Sequence, residues 1–225
     1  MKRSDINAAI RRALLMLEKN NLRLPPFGYW TPEEWRRQAD ETGDLRRVML
    51  GWDVTDFGVD DFARTGAILF TLRNGSPDDP ATGTPYAEKL MFMEQETQRE
   101  IPFHFHVRKT EDIINRGGGM LAIQLYNSAP DGGLDEAGPV RVRMDGLWRM
   151  FPAGAVVEIE KGGSVTLHPG LYHRFWGKKG CGDLVAGEVS SVNDDRTDNV
   201  FLRSIARFSS IEEDEPALYP LCNEV

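Results

Sequence analysis

The chain has 225 residues, 40% of them hydrophobic and 28% charged, which suits one domain over residues 1–225 with a full hydrophobic core. Its net charge of −8 comes from acidic residues spread along the chain, which argues against nucleic acid or anionic membrane as partners and favours small polar molecules. The start Met1-Lys2-Arg3-Ser4-Asp5 lacks a signal-type apolar run, no window nears eighteen apolar residues, and Cys181 and Cys222 fit neither a disulfide framework nor a thiolate site, so a soluble cytoplasmic protein is expected.

Ser4 can cap a run in which Ile6, Ala9, Ile10, Ala13, Leu14 and Leu17 recur at three- and four-residue spacing, so an amphipathic helix opens the chain. Asn20-Asn21 stops it and Pro25-Pro26 excludes helix beyond. Thr31-Pro32-Glu33-Glu34 carries a capping box and predicts a second short helix to about Ala39; residues 1–45 thus read as a helical extension packed on the core. From Arg47 the pattern changes to short apolar or alternating runs broken by Gly, Pro and Asp. Strands are predicted over 68–72, 89–93, 120–126 and 183–189. Segments 140–144 and 147–150 form a hairpin about Asp145-Gly146, and 156–160 and 164–167 are expected to form another about Gly162-Gly163. Eight or more such strands imply a mainly β sandwich or barrel.

All four histidines fall in two segments, His104 and His106 within 103–111, His168 and His173 within 168–173. On a strand, residues two apart share a face, so His104 and His106 point together while Phe103, Phe105 and Val107 pack on the other side against a second layer. Glu111 can return to the same place after the strand bends, and His173 follows the Pro169-Gly170 turn into another strand. Three imidazoles and a carboxylate make a ligand set that leaves one or two positions on a six-coordinate ion. His168, just before Pro169, reads as a turn residue or one supporting the ligands.

These spacings resemble the paired motifs of the cupin superfamily: His104, His106, Glu111 and Gly118 match the first, Gly163, Gly170 and His173 the second. Gln98 stands where a glycine is usual, His168 where a proline is usual, and the asparagine often found beyond the last histidine is missing. The chain resembles more closely the D-lyxose ketol-isomerase family of cupin sugar isomerases, through its N-terminal helix, Leu24-Pro25-Pro26-Phe27, residues 103–119 and 187–195, and Glu212-Glu213-Asp214-Glu215-Pro216. That resemblance implies a cupin (double-stranded β-helix) barrel flanked by N-terminal helices. It implies a homodimer that uses Mn2+; by ligand chemistry Co2+, Fe2+ or Ni2+ can substitute in principle. It implies interconversion of the monosaccharides D-lyxose and D-xylulose, and of D-mannose and D-fructose, through a metal-stabilised cis-enediolate. The metal ligands carry over to His104, His106, Glu111 and His173.

Proton transfer between C2 and C1 needs a base. Glu188 is the first candidate, because an acidic residue inside the apolar strand 184–189 is costly unless it works or is paired; Lys109, on the bend after His106, is the second. The polar segment 193–199, Asp195 and Arg196 foremost, is expected to bind sugar hydroxyls, and Phe175, on the same face as His173, to wall the sugar. An iron-dependent cupin dioxygenase and a non-catalytic sugar-binding cupin are the competing readings.

Overall fold

The computed structural model describes residues 1–97, 99–195 and 197–225. Helix α1 (Arg3–Lys19) buries Ile6, Ala9, Ile10, Ala13, Met16 and Leu17, the stripe that its spacing predicts, and ends at Asn20. Its start departs from expectation. Ser4 does not cap; the Asp214 carboxylate accepts the Ser4 N–H at 2.9 Å and its hydroxyl at 2.7 Å, so an acidic side chain distant in sequence satisfies the first turn. Helix α2 (Pro32–Arg37) shows both halves of the Thr31–Glu34 capping box and stops two residues short of Ala39. A 3-10 turn (Pro26–Tyr29) and helix α3 (Gly43–Arg47) lie outside the expected pattern. Among the described residues no helix is long and apolar enough to cross a membrane.

Arg3 fastens this helix to the last segment of the chain. Its side chain is 3% exposed and forms ion pairs with Glu213 and Glu224. Arg3→Met is expected to lower the unfolding free energy by about 2 kcal/mol, a modest figure because Glu213 is itself mostly in water. Urea unfolding checks it; a loss under about 0.5 kcal/mol would show that the clamp adds nothing beyond packing.

Fourteen strands form two antiparallel sheets among the described residues. One sheet runs β1 (Gly51–Thr55), β2 (Ala67–Gly75), β3 (Gly83–Met93), β13 (Leu184–Ser191), β5 (Glu111–Gly118), β11 (Ser164–Leu167), β8 (Val140–Met144), β9 (Leu147–Phe151). The other runs β10 (Val156–Ile159), β6 (Leu121–Ser128), β12 (Leu171–Gly177), β4 (Ile101–His106), β14 (Asn199–Phe201), with β7 (Leu134–Asp135) beside β6. From β3 onward the chain changes sheet at every step except β6–β7 and β8–β9, so the two sheets interleave along the sequence, as expected of the cupin barrel that the resemblance implies.

That crossing overturns the second expected hairpin. β10 pairs with β6, whereas β11 pairs with β5 and β8. Val157 and Ile159 of β10 share one buried cluster with Val165 and Leu167 of β11, so the two strands press their apolar faces on one core from opposite sheets. Alternation tells which face is buried; it does not tell whether the next strand lies beside or opposite. Gly117 and Gly118 close β5, and a Cβ at Gly118 (φ 91°) would meet Asp183 O at 2.0 Å, so only glycine allows the start of β13 this close.

The Lys89–Met93 end of β3 is buried on both faces, which is why this run reads as nearly continuous apolar sequence. Met91 and Met93 enter the core between the sheets, while Leu90 and Phe92 join Trp52, Phe70 and the α1 stripe on the outer face of the eight-stranded sheet.

Candidate active site

The antiparallel pairing of β4 with β12 sets His104 directly opposite His173, with ring centroids 4.1 Å apart. His106, two residues on, shares their face at 5.2 Å from His104 and 5.5 Å from His173. All three are buried, and their ligand nitrogens lie within 4.8 Å of one another. The Gly170 N–H donates to His106 O at 2.9 Å, which stitches the Pro-Gly turn to the end of the histidine strand. His168 stays in that turn, 5.9 Å from Trp148 and outside the cluster.

The imidazoles take the interior face of β4. The expectation that Phe103, Phe105 and Val107 pack against a second layer is therefore wrong: they face outward, Val107 is 51% exposed, and the phenylalanines meet Tyr126 of β6 and Tyr172 of β12 at 5.6 and 4.8 Å along the same sheet. The interior is where the site lies, and alternation leaves the opposite side chains only the outer surface.

Backbone carbonyls orient the rings. His104 Nδ1–H donates to Pro102 O at 2.8 Å and His173 Nδ1–H to Leu171 O at 3.0 Å, leaving each Nε2 as a lone pair. Burial, with His173 and His106 close by, pushes His104 well below the ordinary imidazole range, so it is neutral at pH 7. Burial alone would raise the Glu111 carboxyl, but Lys109 and then His106 outweigh it and hold the group well below the usual range. Glu111 Oε1 sits 3.1 Å from His173 Nε2 and 3.2 Å from His106 Nε2, so the carboxylate meets two of the three rings. Three imidazoles and a carboxylate whose ligand atoms converge in one buried place are the donor set of a divalent cation, so these residues fit a metal ion.

Behind this cluster runs a line of buried charges. Lys109 Nζ lies 2.8 Å from Glu111 Oε2, 2.9 Å from Glu188 Oε1 and 3.3 Å from Asn193 Oδ1, which occupies its three protons. Burial would lower its pKa, but the two carboxylates more than reverse that. Lys89 Nζ approaches Glu188 Oε1 at 3.3 Å and donates to Asn193 Oδ1 at 2.8 Å, and the Ser190 hydroxyl donates to Glu188 at 3.1 Å. Against the upward push of burial, Lys109 and Lys89 keep the Glu188 carboxyl below its ordinary range, hence ionised.

A cavity of about 60 Å³ joins Glu188, Lys109, Lys89 and Phe175 to His104 and His106, with Phe175 stacked 6.1 Å from His173. Asp195 also lines it, but its two oxygens accept from Arg207 Nη2 at 2.8 Å and Asn199 Nδ2 at 3.1 Å. Beyond Asn193, Asp195 and Arg207 lies a cleft of about 660 Å³. Arg196 and Gln98 lie outside the described residues.

The family model described as D-lyxose isomerase matches residues 1–225. The chain belongs to the D-lyxose isomerase family. It is 46% identical over 228 residues to the D-lyxose/D-mannose isomerase of Serratia proteamaculans, covering 100% of this chain and 97% of that protein. With the D-lyxose/D-mannose isomerase of Escherichia coli O157:H7 it shares 44% over 232 residues, 100% of this chain and 98% of the relative. In fold it is similar to Acinetobacter sp. DL28 L-ribose isomerase in complex with L-ribose, at TM-score 0.60 and 17% identity over 94% of this chain and 98% of that one. The ligand-free L-ribose isomerase of Cellulomonas parahominis is similar at TM-score 0.57, 17% identity and the same coverage.

Within this D-lyxose isomerase family member, several residues at the site were not expected from sequence. Lys89 had a signal, since it shares parity with the inward-facing Met91 and Met93. Asp198 was expected only as part of a polar sugar-binding segment; its carboxylate instead accepts the Arg108 and Lys109 N–H groups at 2.7 and 3.1 Å and pins the bend that carries Lys109. Asn199 closes the same polar segment, whereas Phe201 and Arg207 had no periodic signal: β14 has three residues and Arg207 lies in no helix or strand.

Proposed function

We propose that the protein is a metal-dependent aldose–ketose isomerase interconverting D-lyxose with D-xylulose and D-mannose with D-fructose. The observation that carries this reading is the convergence of three imidazoles and Glu111 beside a second ionised carboxylate, Glu188, with Lys109 strung between the two acids. His104, His106, Glu111 and His173 would hold the ion, and Mn2+ suits their mixed nitrogen and oxygen donors. When bound, a divalent ion supplies a Lewis acid that polarises the sugar oxygens. Glu188 takes the C2 proton of the aldose and returns it to C1. Lys109 keeps that carboxylate ionised and aimed, and its own protons are already shared with Glu111, Glu188 and Asn193, so it acts by position. Phe175 backs the sugar, and Asp195 orders the polar wall.

A homodimer belongs to the same reading: Leu147, Trp148 and Met150 of the sheet-edge strand β9 are 58%, 43% and 61% exposed, an apolar edge suited to a partner. The unpaired thiols of Cys181 and Cys222 suit the cytoplasm.

Metal-stripped protein is expected to convert neither D-lyxose nor D-mannose, and added Mn2+ to restore both conversions. His104→Ala and His173→Ala should abolish turnover together with tight metal binding. A protein that binds metal tightly and converts no aldose would overturn the isomerase and favour an oxygenase or a sugar-binding cupin.

A further inference from the structure

Apart from the imidazoles, two groups lining the 60 Å³ cavity are buried without a hydrogen-bond partner among the described residues: the acceptor Asn199 Oδ1 and the donor Arg207 Nη1. Asn199 is paired with His106 across β14 and β4, and directly opposed residues of an antiparallel pair share a face, so its side chain enters the cavity beside the metal cluster. The next inward residue of β14, Phe201, pairs with His104 and stacks on its ring at 5.3 Å. The strand therefore lays an apolar step against one imidazole and a polar step against another.

Asp195 fixes how both groups point. Its Oδ1 accepts from Asn199 Nδ2 at 3.1 Å, which sets the amide orientation, since the reverse would press Oδ1 against a carboxylate. Its Oδ2 accepts from Arg207 Nη2 at 2.8 Å, and Asp53 accepts from the same nitrogen at 2.5 Å, leaving Nη1 over. A buried acceptor and a buried donor, each held by a charged neighbour and each without a partner, are unfavourable in a closed protein and are relieved by a ligand that offers hydroxyls.

We propose that Asn199 and Arg207 read the sugar hydroxyls remote from C1 and C2, Asn199 accepting from one and Arg207 donating to another, with Asp195 as the positioning residue for both. This rests on the isomerase reading and assigns the part of the substrate that the metal cluster and Glu188 do not touch. It moves Asp195 from direct sugar contact to support, because its oxygens are already engaged.

The test compares kcat/KM for D-lyxose with that for its 3-, 4- and 5-deoxy analogues in the manganese-loaded wild type, Asn199→Leu and Arg207→Lys, with metal content and thermal unfolding recorded for each. The wild type is expected to lose about 10- to 100-fold on at least one deoxy analogue. Asn199→Leu should lose a similar factor on D-lyxose, mainly through KM, and no longer discriminate against that analogue, with metal content unchanged. Arg207→Lys keeps the charge between Asp53 and Asp195 and should relax discrimination at a different hydroxyl; it carries the test if Asn199→Leu fails to fold. Active, metal-loaded variants that keep the wild-type ratio for every analogue would overturn this assignment alone. No conversion of any aldose by the wild type would overturn it together with the isomerase.

Discussion

Glu188→Gln is expected to lower kcat by about 10²- to 10⁴-fold with bound metal and fold unchanged. The amide matches the carboxylate in shape, so the packing around this 5%-exposed side chain persists and the Ser190 hydroxyl retains an acceptor. What disappears is the capacity to accept a proton. The carboxylate has that capacity because Lys109 at 2.9 Å and Lys89 at 3.3 Å keep it ionised inside the protein, against the pull of burial. Since Glu188 is not one of the proposed ligands, metal analysis separates the two roles. Near-normal turnover at unchanged metal content would remove Glu188 from the mechanism and return the proton transfer to the bend that carries Lys109.

Lys109→Met should be the most destabilising single change at the site, by about 3–5 kcal/mol in the metal-free protein. The ammonium lies between Glu111 and Glu188, themselves 3% and 5% exposed, and its loss leaves two buried carboxylates without their shared counter-charge. Lys89 can compensate only at Glu188, from 3.3 Å. Added manganese should restore part of the stability, because a divalent cation at the cluster balances Glu111 directly. Denaturant unfolding with and without metal measures both effects. A loss under about 1 kcal/mol without metal would mean that the ammonium is not what offsets the two acids.

Much of this centre is legible in the order of residues. The two-residue step from His104 to His106, the later Glu111 and the histidine after Pro169-Gly170 are local patterns, and strand geometry converts each directly into a shared direction. What is not legible is the pairing of strands distant in sequence. The turn at Gly162-Gly163 looks like a hairpin but carries β10 and β11 to different sheets. The cap of α1 comes from Asp214, and the polar wall of the pocket from Asn199 and Arg207, where no period exists to read. Lys89 lies between these cases: its parity was present, but a lysine at the head of an apolar strand reads equally well as a solvated end.

Because His104 and His173 meet only through the pairing of β4 with β12, the cluster does not exist in any partly folded chain that lacks the later strand. Such distant pairings are slow to close, so the two lone pairs of the cross-strand histidines come together late in folding rather than early. During synthesis, a ribosome-bound chain that has not yet made β12 offers an ion at most His104, His106 and Glu111, a set still missing its cross-strand imidazole. Tight loading of the ion should therefore report the completed barrel, and a refolding experiment that follows metal uptake beside backbone structure would place the closing of β12 in time.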